Sequence, residues 1–232
     1  MRGSLILAFI VLARAMGAMA AQVPFDQLDP VARAEAQSIV RRADFAFQTR
    51  TEPKRVRLAT MDQLFDHPRL AAAMWRHCRF VPGFFVFQDP DGTWSMDDTR
   101  GLHGTMHLVL KKPGLRVYIV EGRAESGRLK TPFAVGAKMV SVYRYWEGPK
   151  GFETHLQTWT ALDSALLGFV SKPFRPYIRH RQDEFIAYIN GNIALFGEFA
   201  DLDPREFEGP LGREGDPIAI RDFERIFSRK AH

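Results

Sequence analysis

Cysteine is nearly absent from this chain. Cys78 is alone among 232 residues, so no disulfide can form within the molecule and its stability rests on packing. Nothing around Cys78 spells a nucleophile with a base and an orienting group. Between Trp75, His77, Arg79 and Phe80 the thiol reads as a small core hydrophobe. Charge of one sign is also lacking. With 32 basic and 27 acidic side chains the formal balance is +5, evenly mixed, and no clustered basic face of the kind that nucleic acid requires stands out. No internal repeat is present, and no histidine or cysteine spacing matches a zinc arrangement.

Long apolar runs are missing too. The one stretch that approaches such a run, Leu5 to Ala13, follows Met1 and Arg2 and precedes Ala18-Met19-Ala20. A charged start, nine apolar residues and small residues two apart have the form of a secretory signal peptide, and the run is too short to anchor in a bilayer. We therefore expect residues 1–20 to be removed and the protein to be exported, to a periplasm or out of the cell. Arg2 and Arg14 leave with that segment, lowering the formal charge by two.

What is there is apolar substance: 46% of residues are hydrophobic, enough for one domain with a sizeable core. Asp29-Pro30 before Val31, Ala32, Ala34, Ile39 and Val40 predicts a capped helix. Phe45, Phe47 and Thr49 alternate with polar or small residues, as do Val56 and Leu58, which predicts two short strands around Glu52-Pro53. A helical stretch from about Met61 to His77 follows. Turn chemistry at Asp89-Pro90-Asp91-Gly92, Lys112-Pro113-Gly114 and Glu147 to Gly151 then punctuates a meander, with strands over 105–111, 115–124, 137–146 and 152–161. Asp163 or Ser164 is expected to cap a short helix through Val170. A long helix reaches about Phe199, its stripe Ile178, Phe185, Ile189, Ile193 and Phe196 facing inward. Arg205 to Gly215 reads as a linker or surface loop, and Pro217 to Phe227 as an amphipathic helix. The domain proper is expected over 21–204, with 205–232 appended.

His103 and His107 in "GLHGTMHL" sit four apart, the spacing at which a helix would let them share a cation. Gly101 and Gly104 weaken a helix there, and Met106, Leu108 and Leu110 alternate with their neighbours as in a strand. Four residues of strand span about 13 Å, too far for one zinc. We expect no metal site and no cofactor.

Leu64, Phe65, Asp66, Pro68, Leu70 and Trp75 in "MDQLFDHPRLAAAMW", after a strand and before a sheet, resemble the START-like helix-grip superfamily, which includes lipid-transfer domains and polyketide cyclase-like proteins. His67, inserted between Asp66 and Pro68, departs from that pattern. The resemblance covers roughly 31–200. It implies an α+β fold in which a curved antiparallel sheet grips a long C-terminal helix, with a ligand cavity between them for an apolar molecule.

The strand alternation itself puts Ser141, Tyr143 and Tyr145 on one face with Val142, Arg144 and Trp146 on the other. It groups His155, Gln157 and Trp159 opposite Leu156, Thr158 and Thr160. Aromatic walls with a few polar groups suit a lipid-sized guest. The candidate ligand-binding residues are Tyr118, Tyr143, Tyr145, His155, Trp159, His107 and Arg144. Lys172, Arg175 and Arg179 beside Phe174 and Tyr177 form a candidate contact with an anionic membrane surface. The expected function is transfer of a lipid or other apolar small molecule. A cavity enzyme of cyclase or hydrolase type, with His155 or His107 as general base near Asp97, Asp98 or Arg100, is the alternative. An envelope interaction module is a third reading.

Overall fold

The computed structural model describes residues 23–125, 135–163 and 175–227. The expected signal peptide and the short helix after Asp163 lie outside them, as does Lys172. A first helix, α1 (Pro30–Arg42), starts as its sequence dictates: the Asp29 carboxylate accepts from the backbone N–H of Val31 and Ala32 at 2.9 and 3.0 Å, and Pro30 occupies the first turn. After β1 (Phe45–Arg50) come α2 (Leu58–Asp66) and α3 (Pro68–His77). Six strands follow in a meander: β2 (Phe85–Gln88), β3 (Trp94–Asp97), β4 (Leu102–Lys112), β5 (Leu115–Ala124), β6 (Val135–Gly148) and β7 (Gly151–Leu162). The chain ends with α4 (Arg175–Leu202), α5 (Glu208–Glu214) and α6 (Pro217–Phe227).

All seven strands join one antiparallel sheet in the order β1-β7-β6-β5-β4-β3-β2. A register shift between Leu108 and Leu110 bends β4, and an extra residue of this kind increases local twist. The expected α+β class, with a curved antiparallel sheet and a long C-terminal helix, is the architecture found. No helix among the described residues is long and apolar enough to cross a membrane.

The sheet is covered on both sides. Ala32, Ala36 and Ile39 of α1 pack with Val23 and Leu28 against Val117, Ile119, Val140, Val142, Trp159 and Ala161. On the other side, α2, α3, α4 and the C-terminal helices share a second core around Met61, Leu64, Leu70, Trp75, Tyr143, Phe152 and Phe196.

Three expectations are corrected. Val56–Leu58 is not a strand: Lys54 makes a single bridge to Phe152, and Leu58 already begins α2. The helical stretch 61–77 is two helices, because Pro68, which lacks an N–H, opens α3 at a break on His67. The segment 205–215 is not a linker. Pro204–Phe207 forms a 3₁₀ turn and α5 follows, with Phe207 and Leu211 buried in the same core as Phe223 and Phe227 of α6. Its glycines and prolines disguise two buried anchors, and Gly215, at φ 72°, ends α5 in the left-handed conformation.

Candidate functional site

The helix-facing side of β5, β6 and β7 carries Tyr118 and Val120, Met139, Ser141 and Tyr143, and Leu156 and Thr158. Register sets them in rows: Tyr118 stands opposite Ser141, and Ser141 opposite Thr158, while Tyr143 faces Leu156. Above this floor, Met61, Leu64 and Phe65 of α2 and Ala72 and Trp75 of α3 form one wall. Phe185, Ile189, Ile193 and Phe196 of α4 form another, which is the stripe read from its 3- and 4-residue spacing. Together these side chains line a half-open pocket of about 330 Å³. No charged side chain lines it among the described residues. Phe185 both lines the space and remains 43% exposed, so the cavity reaches the surface beside α4.

What holds the walls in place is polar and lies just outside. Arg116, on the same strand face as Tyr118, is 2% exposed and reaches Asp62 at 3.0 Å and Asp66 at 3.1 Å on α2. Its guanidinium also donates to the carbonyls of Lys112 and Leu115, at 2.6 and 3.2 Å. The Tyr145 hydroxyl donates to Asp62 as well. Asp66, the acid of the Asp-His-Pro stretch, is thus a clamp onto the sheet rather than a cap for α3. On α4, Asn190 accepts from the Thr154 hydroxyl at 2.7 Å, Asp201 accepts from Thr60 at 2.7 Å, and Gly197 lies against Met61 with no room for a Cβ.

The sequence candidates divide between locations. Tyr118 and Tyr143 line the cavity. Tyr145 shares their strand face but packs among Phe65, Tyr143 and Phe152 below it. Trp159 points to the other side of the sheet, into the core with α1. Arg144 and His155, opposite each other in register, share that far side, where Arg144 donates to Gln157 at 3.0 Å. The grouping of His155, Gln157 and Trp159 on one face is therefore as expected, but this face is not the one that borders the cavity. His107 sits at the sheet's rim, its Nδ1 3.2 Å from the Thr93 hydroxyl. It lines a polar pocket with Asp91, Lys111 and Asp66, which adjoins the apolar one through the shared walls Phe65, Pro68 and Tyr118. Arg175 and Arg179 lie at the start of α4.

His107 belongs to β4 as its flanking pattern indicates, whereas His103, expected in the loop after Arg100, is also in β4 because the strand begins earlier, at Leu102. The two have different neighbours, His103 lying 3.8 Å from Asp97 and 3.4 Å from Glu125. Gly104 between them is required by close approach, since a Cβ there would lie 2.5 Å from the Glu121 carbonyl oxygen. Among the described residues no group of three or more histidine, cysteine or acidic side chains is placed to hold a metal.

Burial pushes the phenols of Tyr118 and Tyr143 well above the ordinary tyrosine range, so both remain protonated donors at neutral pH. Burial, then the cations Arg50 and Arg144, hold the His155 imidazole below the usual histidine value. A depressed histidine binds fewer protons folded than unfolded. Its contribution to stability is full above about pH 6.5 and is lost as pH falls through the folded value. The expected outcome is a thermal midpoint that declines between pH 7 and pH 5, with a shallower decline in His155→Gln, measured by circular dichroism melts.

No family model matches the chain, and no curated protein does. Among solved structures it is similar to a putative uncharacterized protein from Rhizobium leguminosarum, at 15% identity over 66% of this chain and 94% of that one, with a TM-score of 0.39. It is also similar to a hypothetical protein from Helicobacter pylori, at 9% identity over 66% of this chain and 88% of that one, with a TM-score of 0.42.

Proposed function

We propose that this chain is an exported binding and transfer protein of START-like helix-grip type, which carries a lipid or other apolar small molecule between its sheet and its long C-terminal helix. The observation that carries the reading is the cavity of about 330 Å³ walled by α2, α3, α4 and the sheet, with no charged side chain among the described residues that line it. Its size falls within the range of roughly 300–1,000 Å³ typical of small-molecule sites. Apolar walls reward an apolar guest by about 25 cal/mol per Å² removed from water. The basic segment with Lys172, Arg175 and Arg179 would serve as the docking patch for anionic head groups, since such residues attract the surface from which a guest is loaded.

The cavity-enzyme alternative finds less support, because His155 lies on the far face of the sheet and His107 at its rim. A general base has to reach the substrate's proton within hydrogen-bonding distance.

The test is titration with the neutral fluorophore N-phenyl-1-naphthylamine, together with native mass spectrometry of protein purified from its own host. Saturable binding at one site is expected, and Ala72→Trp, which fills the cavity from α3, should weaken it at least ~10-fold with the fold retained. Absence of saturable binding and of any bound apolar molecule would overturn the reading.

A further inference from the structure

We infer that the guest is an electrically neutral apolar molecule bearing a hydrogen-bonding oxygen, a ketone or an alcohol, engaged by the hydroxyls of Tyr143 and Thr158. The inference rests on the carrier reading above and narrows it to a chemical class.

Tyr143 on β6 and Thr158 on β7 are 3% and 1% exposed. Among the described residues that line the cavity, the Thr158 hydroxyl is buried without a hydrogen-bond partner, and the Tyr143 hydroxyl makes no close hydrogen bond, its polar neighbour being the Thr154 hydroxyl, which donates to Asn190. Buried hydroxyls are ordinarily bonded, and each one that is not calls for an explanation. The two belong to one patch. Thr158 stands opposite Ser141 and Tyr143 opposite Leu156, which makes Tyr143 and Thr158 diagonal neighbours across adjacent strands. The remaining polar members of the wall, Tyr118 and Ser141, continue the row across the sheet.

The chemistry of this patch selects its ligand. A hydroxyl offers one O–H donor and two acceptor lone pairs, so the pair can donate to a carbonyl oxygen or exchange donor and acceptor roles with an alcohol. It offers no countercharge. An ionised carboxylate or an ammonium would enter a space with no opposite charge among the described residues of its walls, and desolvation would then favour the neutral form. A pure hydrocarbon would leave both hydroxyls unpaired.

Displacement of N-phenyl-1-naphthylamine by four probes of similar size tests this: butylbenzene, 4-phenylbutan-2-one, 4-phenylbutan-1-ol and 4-phenylbutanoate at pH 8. In the wild type, the ketone and alcohol are expected to bind at least ~10-fold more tightly than the carboxylate. Tyr143→Phe and Thr158→Val, both close in volume to the residues they replace, are each expected to weaken ketone and alcohol binding about 3- to 10-fold while leaving butylbenzene unchanged or tighter. Each variant without ligand should melt at or slightly above the wild-type temperature, since an unpaired buried hydroxyl has been removed. Equal binding of ketone and carboxylate overturns the inference. So does an unchanged ketone-to-butylbenzene ratio in both variants, or a lowered melting temperature showing that the hydroxyls are paired within the protein. Failure of the carrier reading is distinct: the fluorophore and all four probes would fail to bind.

Discussion

Arg116→Ala is expected to lower folding stability by about 3 kcal/mol, the lower end of the range for removing one partner of a buried ion pair. The guanidinium is almost wholly inaccessible, and its fork joins two acids of α2 to the sheet. Taking it away leaves Asp62 with the Tyr145 hydroxyl and Asp66 with the half-exposed Lys111 ammonium at 2.7 Å, and removes the Arg116 cation from over the Tyr145 ring at 5.7 Å. The carboxylates keep part of their water, being 30% and 24% exposed, and this holds the loss to the lower end of the range. Arg116→Lys should recover only part of it, because an ammonium cannot span both acids with a planar fork. Combining Arg116→Met with Asp62→Asn and Asp66→Asn should recover more than Arg116→Lys, since the only charge then left without its partner is the half-exposed Lys111. Urea melts measure all three. A loss below about 1 kcal/mol for Arg116→Ala would show that the clamp is an incidental contact. Because α2 supplies Met61, Leu64 and Phe65 to the cavity wall, a real clamp also predicts weaker binding of the neutral fluorophore at temperatures where the variant is still folded.

How much of this was legible in the chain depends on which interactions were local. Turn residues and period-2 alternation delivered β5 over its observed range of Leu115–Ala124, and amphipathic spacing delivered α6 over Pro217–Phe227. The stripe Phe185, Ile189, Ile193 and Phe196 marked the inward face of α4 before any partner for it was known. Alternation also grouped His155 with Trp159 correctly, but it says only which residues share a face. The face that borders the cavity is decided by α1 covering the other one, a long-range event with no trace in β7 itself. The pairing of Ser141 with Thr158 was within reach. Gly148 and Gly151 close a two-residue turn and face each other, and counting back from them places Ser141 opposite Thr158. Gly197 was opaque: a glycine inside a helix costs about 1 kcal/mol relative to alanine, and only the position of Met61 explains it. Asp66 was opaque as well, because its partner Arg116 is fifty residues away.

Trp75→Ala is expected to cost about 3–5 kcal/mol, the usual range for truncating a buried aromatic. Trp75 meets Phe80, Tyr188 and Phe196 edge to face, with ring centroids 4.9, 6.3 and 6.4 Å away, and so ties α3 to α4 across the cavity. Its indole N–H donates to the Pro82 carbonyl at 2.7 Å, and that bond is lost with the ring. For a chain of this size each kcal/mol corresponds to roughly 2–4 °C, so the midpoint should fall by about 6–20 °C. The position of Trp75 gives the variant a second signature. Because the indole is part of the cavity wall, its removal enlarges a space bounded by apolar side chains, and an apolar compound can occupy the added volume as benzene fills an engineered apolar cavity. Butylbenzene should therefore raise the midpoint of Trp75→Ala by more than it raises that of the wild type, since ligand that binds only the folded form stabilises it by mass action. If the variant loses stability but gains no more from butylbenzene than the wild type does, the indole supports the helices without bounding a space that a guest can enter.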